Sequence, residues 1–220
     1  MPRPSQQIDQ ALLASGRALL PETGCAGLAV RALAEHAGVA PGMFHYHFGS
    51  KDRFLRMLLS GLYEEMFASL AAQAAQAGPP LERLRGALRL LARFARGHRR
   101  LLARLWHDAI GGEAAARDFF RDNAPRHVGL LMGLAQQARD EGGLRDDLPP
   151  LTLFAFMFGA IALPTIFVAG LVDAGFTPPG GAAAFDAQVM SDAAIDARID
   201  LALAALAPPA AVHRKTRRTQ

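Results

Sequence analysis

Cysteine is almost absent from the sequence: Cys25 is the single one among 220 residues, so no disulfide can form within the chain. Chains of this kind are usual in the reducing cytoplasm. The first residues, MPRPSQQIDQ, also lack the apolar run of a secretory signal peptide. Both absences predict a cytoplasmic protein.

Lysine is scarce as well, because 22 of the 24 basic residues are arginine and only Lys51 and Lys215 are lysine. Such a skew, combined with abundant alanine, is expected from genomic base composition and indicates little about function. The formal charge of +4 equals the charge of four basic residues near the C-terminus: Arg214, Lys215, Arg217 and Arg218. The net charge by itself therefore predicts no nucleic-acid binding. Residues 208–220 are predicted to form a disordered basic tail.

No stretch alternates apolar and polar residues as a half-buried strand does, so the sequence predicts an all-α fold. A first helix is expected from about Ser5 to Leu20, ended by the stretch from Pro21 to Gly24. Another long helix is expected to begin at Lys51. A chain of 220 residues has room for a small N-terminal domain and a larger second one.

The stretch from Arg31 to Ser50 predicts two short helices joined by a tight turn. Gly38 follows the first helix as a stop, because glycine adopts left-handed backbone angles at little cost. Pro41 suits the first turn of a second helix, about Pro41–Phe48. The apolar inner side of the first helix is predicted to comprise Ala32, Leu33, Ala34 and Ala37. This is the helix-turn-helix pattern, whose second helix enters the DNA major groove.

The second helix of this motif is rich in groups that can contact a nucleic acid. Backbone amides at its start, around Pro41 and Gly42, can bind phosphates. The predicted phosphate-contacting side chains are Arg31, Tyr46, His47 and Lys51. The predicted base-contacting side chains are Met43, Phe44 and His45, although Phe44 could instead turn inward. His45 and His47 diverge on a helix, so no metal site is predicted there.

The same stretch resembles the DNA-binding domain of the TetR (tetracycline-repressor-like) family of transcriptional regulators. The resemblance covers about Ile8 to Leu58. It departs from the family pattern at Ala29 and Ala40, where a Ser or Thr helix cap is common, and at His45, where tyrosine is usual. The residues that carry it are Gly24, Val30-Arg31, Leu33-Ala34, Ala37-Gly38-Val39, Gly42, Tyr46-His47-Phe48 and Lys51.

The resemblance implies a ligand-responsive repressor that a small molecule releases from its operator DNA, with no cofactor. Its domains are expected to be a helix-turn-helix DNA-binding domain at residues 1–58 and a helical effector-binding and dimerisation domain at residues 59–207. A homodimer would present two copies of the helix Pro41–Phe48 to successive major grooves about 34–36 Å apart.

The resemblance also implies dimerisation through the last two helices, about Leu151–Val172 and Phe185–Leu206. The predicted interface residues are Phe158, Ile161, Ile195, Ile199 and Leu203. Leu151–Val172 is long enough to cross a bilayer. Its flanks are acidic and no basic cluster orients it, so a buried or subunit-interface helix is favoured over a membrane span.

Large apolar side chains far outnumber polar ones between Leu81 and Val172, and this favours a pocket for a largely apolar effector. The predicted apolar lining is Trp106, Phe119, Phe120, Met132, Phe154 and Phe158. The predicted polar contacts are His107, Arg117 and His127.

An arginine stripe allows two interpretations. Its members share one helical face: Arg85, Arg89, Arg93, Arg96, Arg100 and Arg104. We favour a solvated face over a surface that attracts an acidic effector or partner.

The alternative functions are an α-helical enzyme with its site near Trp106, or an interaction protein with a purely structural helix-turn-helix. Neighbouring helix residues point about 100° apart, so His107 and Asp108 cannot easily form a catalytic relay. The sequence has no recognisable nucleophile motif, metal set or phosphate loop. We therefore predict a regulator with no catalytic residues.

Overall fold

The computed structural model describes residues 4–209, with side-chain environments from residue 7 onward. All regular structure in this range is helical, so the predicted all-α fold is confirmed. The α-helices are α1 (Pro4–Gly27), α2 (Val30–Ala37), α3 (Pro41–Phe48), α4 (Lys51–Ala74), α5 (Pro80–Gly97), α6 (Arg99–Ile110), α7 (Ala114–Asp140), α8 (Pro150–Met157), α9 (Ala169–Asp173), α10 (Gly181–Phe185) and α11 (Asp192–Ala205). Two π-helical segments, Phe158–Ala162 and Pro164–Val168, join α8 to α9 as one long helix, Pro150–Asp173. The predicted tail from residue 210 onward lies outside the described residues.

The turn between α2 and α3 has the predicted geometry. Gly38 follows α2 with φ 67° and ψ 30°, and its N–H donates to the carbonyl of Glu35 at 3.1 Å. Pro41 occupies the first turn of α3. The hydroxyl of Ser50 then caps α4 by accepting the N–H of Arg53 at 3.2 Å. Local sequence signals therefore determine where these three helices begin and end.

The inner side of α2 is narrower than predicted. Leu33 and Ala34 are buried, whereas Ala32 is exposed. One residue corresponds to about 100° of rotation around a helix, which carries Ala32 away from the core side that Leu33 occupies.

Helix α1 runs further than predicted. It continues through Pro21, because the fixed φ of proline is itself helical and only one backbone hydrogen bond is lost. The helical angles stop at Gly24, whose φ of 68° lies in the left-handed region. The helical angles thus break at the last residue of the predicted stretch from Pro21 to Gly24, and not directly after Leu20.

Two hydrophobic cores meet along α4. Its first half buries Phe54 and Leu58 in a head core with α1, α2 and α3. Its second half buries Tyr63 and Leu70 in a body core with α5, α7 and α11. Leu105 of α6 packs into the head core from the side of the body. Helix α4 is thus one continuous rod shared by both cores.

The arginine stripe of α5 faces α11 and is neither a solvated face nor an anion-binding surface. The ion pairs between the two helices are Arg85–Asp200 at 3.0 Å, Arg89–Asp196 at 3.1 Å, Arg93–Asp196 at 3.2 Å and Arg96–Asp192 at 2.6 Å. Between Arg85 and Arg96 the stripe therefore has an acidic partner within the same chain, whereas Arg100 and Arg104 are exposed, as the solvated-face interpretation predicts. These partly exposed pairs are each worth about 0–1 kcal/mol, so they orient α11 more than they stabilise the fold.

The predicted interface residues of α11 lie inside the protomer. Ile195 and Ile199 are 0% exposed and Leu203 is 3% exposed. Ile161, on the long helix Pro150–Asp173, is 5% exposed and joins the same body core. Since these four side chains are already covered, the prediction that they form the subunit interface is wrong. The apolar side chains of α11 are buried, but they pack against the body of the same chain and not against a second subunit.

The helix Pro150–Asp173 is long and apolar enough to cross a membrane, with a mean hydropathy of 2.2 over its most apolar window. One side packs on α5, α6 and α11, and only 22% of that window is buried inside the protomer. The large apolar side chains that it and α11 leave exposed are Leu151, Phe156, Leu163, Leu171 and Leu201. These exposed side chains make up the uncovered apolar face of the protomer, and exposed apolar residues of this kind can mark an interaction site.

Candidate DNA-binding helix and effector cavity

Helix α3 presents most of its predicted contact residues to the outside. Pro41, Gly42 and His45 are exposed, and Tyr46 is 79% exposed. Met43 is partly exposed. This face carries a thioether, an imidazole and a phenol, which are groups that can contact base edges and phosphates.

Phe44 is fully buried, and the prediction that it contacts bases is wrong. Its ring centroid lies 5.2 Å from that of Phe54 and 5.6 Å from that of Phe48. The alternative, that Phe44 turns inward, is confirmed. These phenylalanines anchor α3 on the first half of α4.

His47 also turns away from the exposed face of α3. Its side chain is 4% exposed, and its Nδ1 lies 2.5 Å from Oδ1 of Asp9 in α1. The phosphate contact predicted for this side chain is therefore wrong. Tyr46 and His47 differ because adjacent helical residues point about 100° apart.

The two cationic candidates remain at the surface next to α3. Arg31 is exposed on α2. The Nζ of Lys51 donates to the carbonyl of Ala26 at 3.0 Å, close to the end of α1. This hydrogen bond keeps the ammonium at the start of α4, and its phosphate role stays a prediction.

The body encloses a cavity of about 400 Å³ between α4, α5, α6, α7 and the helix Pro150–Asp173. Within the described part of the chain, no charged side chain lines it. Six of the nine predicted pocket residues contribute to its wall: Trp106, Phe119, Phe120, His127, Phe154 and Phe158.

The remaining three predicted pocket residues lie elsewhere. His107 and Arg117 are exposed, and Met132 packs at the edge of the body core. His107 follows Trp106 and Arg117 precedes Phe119 by two residues, so helix rotation turns both away from the cavity. Their predicted roles as pocket contacts are wrong.

A polar cluster sits in the otherwise apolar wall. The hydroxyl of Tyr63 donates to the backbone carbonyl of Asn123 at 2.8 Å, and its oxygen lies 3.3 Å from Nδ1 of His127. Burial lowers the pKa of His127 below its ordinary value of 6.5, so its ring is neutral at neutral pH. Burial raises the pKa of Tyr63, which keeps the phenol protonated.

Sequence reasoning missed three polar lining residues: Tyr63, His98 and Asn123. Asn123 and His127 lie one turn apart on α7, a spacing that was readable. Tyr63 falls within the apolar stripe of α4 and gave no local signal. Only the packing of α4 against α7 brings Tyr63 next to Asn123 and His127.

Asp108 connects the head to the body. Its carboxylate is buried, and its Oδ2 accepts the backbone N–H of Cys25 at 2.5 Å. A Cβ on Gly24 would lie 2.6 Å from the same oxygen, so this close approach requires glycine. Burial, with a further effect of the Asp108 charge, raises the pKa of Cys25 to about 12. His107 is exposed beside Asp108, and the pair forms no relay.

Comparisons with known proteins agree with this division of the chain. Residues 12–58 match the family model described as "Bacterial regulatory proteins, tetR family". The HTH-type transcriptional repressor KstR2 of Mycobacterium tuberculosis is 28% identical over 149 residues, which are 66% of this chain and 74% of that protein.

Solved structures share the whole fold. The ketosteroid transcriptional regulator KstR2 of Mycobacterium tuberculosis aligns with a TM-score of 0.67 and 20% identity, covering 91% of this chain and 95% of that one. FadR from Bacillus subtilis, in complex with stearoyl-CoA, aligns with a TM-score of 0.70 and 14% identity over 90% and 98%. AibR, in complex with isovaleryl coenzyme A and operator DNA, aligns with a TM-score of 0.65 and 17% identity over 92% and 99%.

Proposed function

From the match of residues 12–58 to the tetR family model, we propose that this chain is a homodimeric transcriptional repressor of that family, released from operator DNA by a small molecule. It would act in the cytoplasm, where α3 of each subunit enters a major groove. Similar proteins support this proposal: KstR2 is a named transcriptional repressor, and AibR was solved with both a small molecule and operator DNA.

The observation that carries the proposal is the position of α4. Leu59, Leu62, Tyr63 and Met66 of this helix line the cavity. Its first residue, Lys51, comes two residues after Gly49, where α3 has ended. A molecule in the cavity therefore touches the same rod that carries the recognition helix.

Release follows from a difference in affinity between two conformations. One conformation of the dimer has its two DNA-binding heads at a separation that does not fit the operator. A ligand that binds this conformation more tightly shifts the dimer toward it. A ligand with equal affinity for both conformations changes nothing. Ligand binding and operator binding must then oppose each other by one and the same coupling free energy.

The DNA contacts that we assign follow the exposed face of α3. Tyr46 and Lys51 contact phosphates, whereas Met43 and His45 read base edges. A Cβ on Gly42 would meet nothing within 4 Å in the protomer, so packing does not require glycine there. Close approach of the DNA backbone to the start of α3 would require it.

Dimerisation gives the uncovered apolar face a partner. The exposed side chains of Phe156 and Leu163 lie on the helix Pro150–Asp173, and Leu201 lies on α11. A second copy of the chain that buries this face would pair the same two helices of each subunit. We therefore move the proposed interface from the buried stripe of α11 to these exposed residues.

The test is fluorescence anisotropy with labelled DNA from upstream of the protein's own gene. Wild type and an exposed control variant on α7, Gln136→Ala, should bind equally well, whereas Tyr46→Ala should bind more weakly. Compounds that raise the melting temperature are then titrated with and without DNA. An effector must lose affinity when operator is saturating, and Trp106→Ala and Phe158→Ala should weaken its binding. Failure of every upstream fragment to bind sequence-specifically would contradict the function.

A further inference from the structure

We propose that the effector is an uncharged, mainly apolar molecule that carries a hydroxyl group, and that this hydroxyl donates to Nε2 of His127. The inference rests on the proposed function, because it assigns a ligand class to the same cavity. It distinguishes this protein from FadR and AibR, whose solved complexes hold coenzyme A thioesters.

The protonation of His127 follows from its neighbours. The single hydroxyl proton of Tyr63 is donated to the carbonyl of Asn123 at 2.8 Å. The second contact of that oxygen, at 3.3 Å to Nδ1 of His127, can then form only if Nδ1 carries the proton. A neutral imidazole has one N–H, so Nε2 is left as an acceptor. The cluster thus offers the cavity a lone pair.

Two other residues that line the cavity also offer a hydrogen-bond acceptor. Nδ1 of His98 lies 2.9 Å from the carbonyl of Phe94, and a carbonyl can only accept, so Nδ1 carries the proton. In the neutral tautomer with Nδ1 protonated, Nε2 of His98 is an acceptor. The amide nitrogen of Asn123 donates one of its two N–H groups to the carbonyl of Phe119 at 2.8 Å, which leaves Oδ1 as a further acceptor and the second N–H as a donor.

An acceptor-rich lining selects against carboxylates and favours donors. A carboxylate has only lone pairs to offer, and it would face nitrogen and oxygen lone pairs in an apolar wall. A hydroxyl donates one proton to such a group and can also accept from the indole N–H of Trp106, another lining residue. Of the simple oxygen groups, a hydroxyl can form the most hydrogen bonds with these lining residues.

Three arginines of the body are engaged with carboxylates outside the cavity. The guanidinium of Arg126 lies 5.0 Å from the ring centroid of Tyr63, and it is paired with Glu64. On α5, Arg89 and Arg93 pair with Asp196 of α11. Since the phosphates of a coenzyme A need free cations, these three guanidiniums would have to leave their carboxylates to bind a coenzyme A thioester.

The test uses the fluorescence of Trp106, the single tryptophan of the chain, which lines the cavity. The probes are 1-decanol, decyl methyl ether, decanoate at a pH where it is ionised, and decanoyl-CoA. An aromatic pair, 4-phenylphenol and 4-methoxybiphenyl, is compared by thermal shift. The hydroxyl compound of each series should bind about tenfold more tightly than its methyl ether, because one buried hydrogen bond is lost. Decanoate and decanoyl-CoA should bind more weakly than 1-decanol.

Substitutions at His127 and Tyr63 test whether the ligand hydroxyl binds to His127. His127→Leu should abolish the preference for 1-decanol over its ether while leaving affinity for the ether, which shows that the cavity is intact. The matched control His107→Leu, at an exposed position on α6, should keep the preference. Should His127→Leu fail to fold, Tyr63→Phe serves instead: it removes the oxygen that holds the proton on Nδ1, and the preference should fall.

The outcomes separate this inference from the function. Equal affinity for hydroxyl compound and ether in both series, tighter binding of decanoate or decanoyl-CoA, or no binding of either hydroxyl compound overturns the ligand class. If decanoyl-CoA binds and weakens operator binding, the repressor function stands and the ligand class is wrong. If 1-decanol binds through His127 without any effect on operator binding, the ligand class stands and the ligand-responsive function is wrong.

Discussion

Three aromatic residues of α3 have different roles, because each of them points in a different direction around the helix. Phe44 is fully buried, Tyr46 is 79% exposed, and His47 has a side chain that is 4% exposed. All three belong to the motif that resembles a DNA-binding helix, yet only Tyr46 is free to meet DNA. Aromatic residues that look equivalent in the sequence therefore differ: Phe44 and His47 hold α3 in place, and Tyr46 is available for a contact with DNA.

Tyr46 and Lys51 differ in the kind of phosphate contact that they can make. Tyr46→Phe removes a neutral hydroxyl, so operator affinity should fall by about tenfold while the salt dependence stays unchanged. Lys51→Ala removes a cation that releases a counterion, so the slope of log K against log salt should become shallower by about one. Anisotropy titrations over a range of salt concentrations measure both. A change of slope for Tyr46→Phe would contradict this assignment.

Cys25 should be chemically silent in the folded protein. It is 0% exposed, and burial raises the pKa of its thiol from 9.0 to about 12, so the thiolate is scarce at mildly alkaline pH. Iodoacetamide should label the native protein only as fast as it unfolds, and should label it readily in urea. Mass spectrometry follows the modification. Rapid labelling without denaturant would show that the end of α1 is open.

At the scale of elements, α4 and α6 each join the head core to the wall of the cavity. Helix α6 lines the cavity with Trp106 and, on another side, holds the end of α1 through Asp108. Helix α4 lines the cavity with Tyr63 and carries α3 at its start. A ligand thus contacts two separate connections between the body and the head. The ion pairs between α5 and α11 lie on the far side and hold the last helix in place.

The junction of Gly24 and Asp108 should behave as a coupled pair. Asp108→Ala leaves the N–H of Cys25 unpaired and should lower the free energy of unfolding by about 1–3 kcal/mol. Gly24→Ala should cost a similar amount from its backbone angles, about 1–3 kcal/mol, and more from the contact with Oδ2. Urea denaturation measures each value.

In the double variant the steric part disappears, because the carboxylate is gone. The combined loss should therefore be smaller than the sum of the two single losses. Strict additivity would mean that the two residues do not meet in solution. An exposed substitution on α6, His107→Ala, serves as the control and should change stability little.

At the scale of the whole molecule, the uncovered apolar face argues against a stable monomer. The helix Pro150–Asp173 contributes Phe156 and Leu163 to it, and α11 contributes Leu201. The proposed repressor needs two heads at a fixed separation to bind two-fold symmetric DNA, and this face is the part of the described chain best suited to hold them together.

Charges on this face should separate the subunits without unfolding them. The double variant Phe156→Glu, Leu163→Glu should sediment as a monomer with an unchanged helical circular dichroism spectrum, because both side chains are exposed in the protomer. Ile199→Glu is the matched contrast: it buries a carboxylate in the body core and should unfold the protein. A double variant that remains a normal dimer would place the interface elsewhere.

The sequence alone was sufficient for the all-α class, the helix-turn-helix and its caps, because the spacing of apolar residues and the special angles of Gly38 and Pro41 act locally. It was also sufficient for the aromatic character of the cavity. It did not decide which face of α11 was free, that Phe44 and His47 point inward, or that Tyr63 joins His127 across two helices. Those outcomes depend on how helices rotate and pack against each other, and such contacts join residues that are distant along the chain. The same packing turned the arginine stripe of α5 into a set of ion pairs with α11, which neither helix could show by itself.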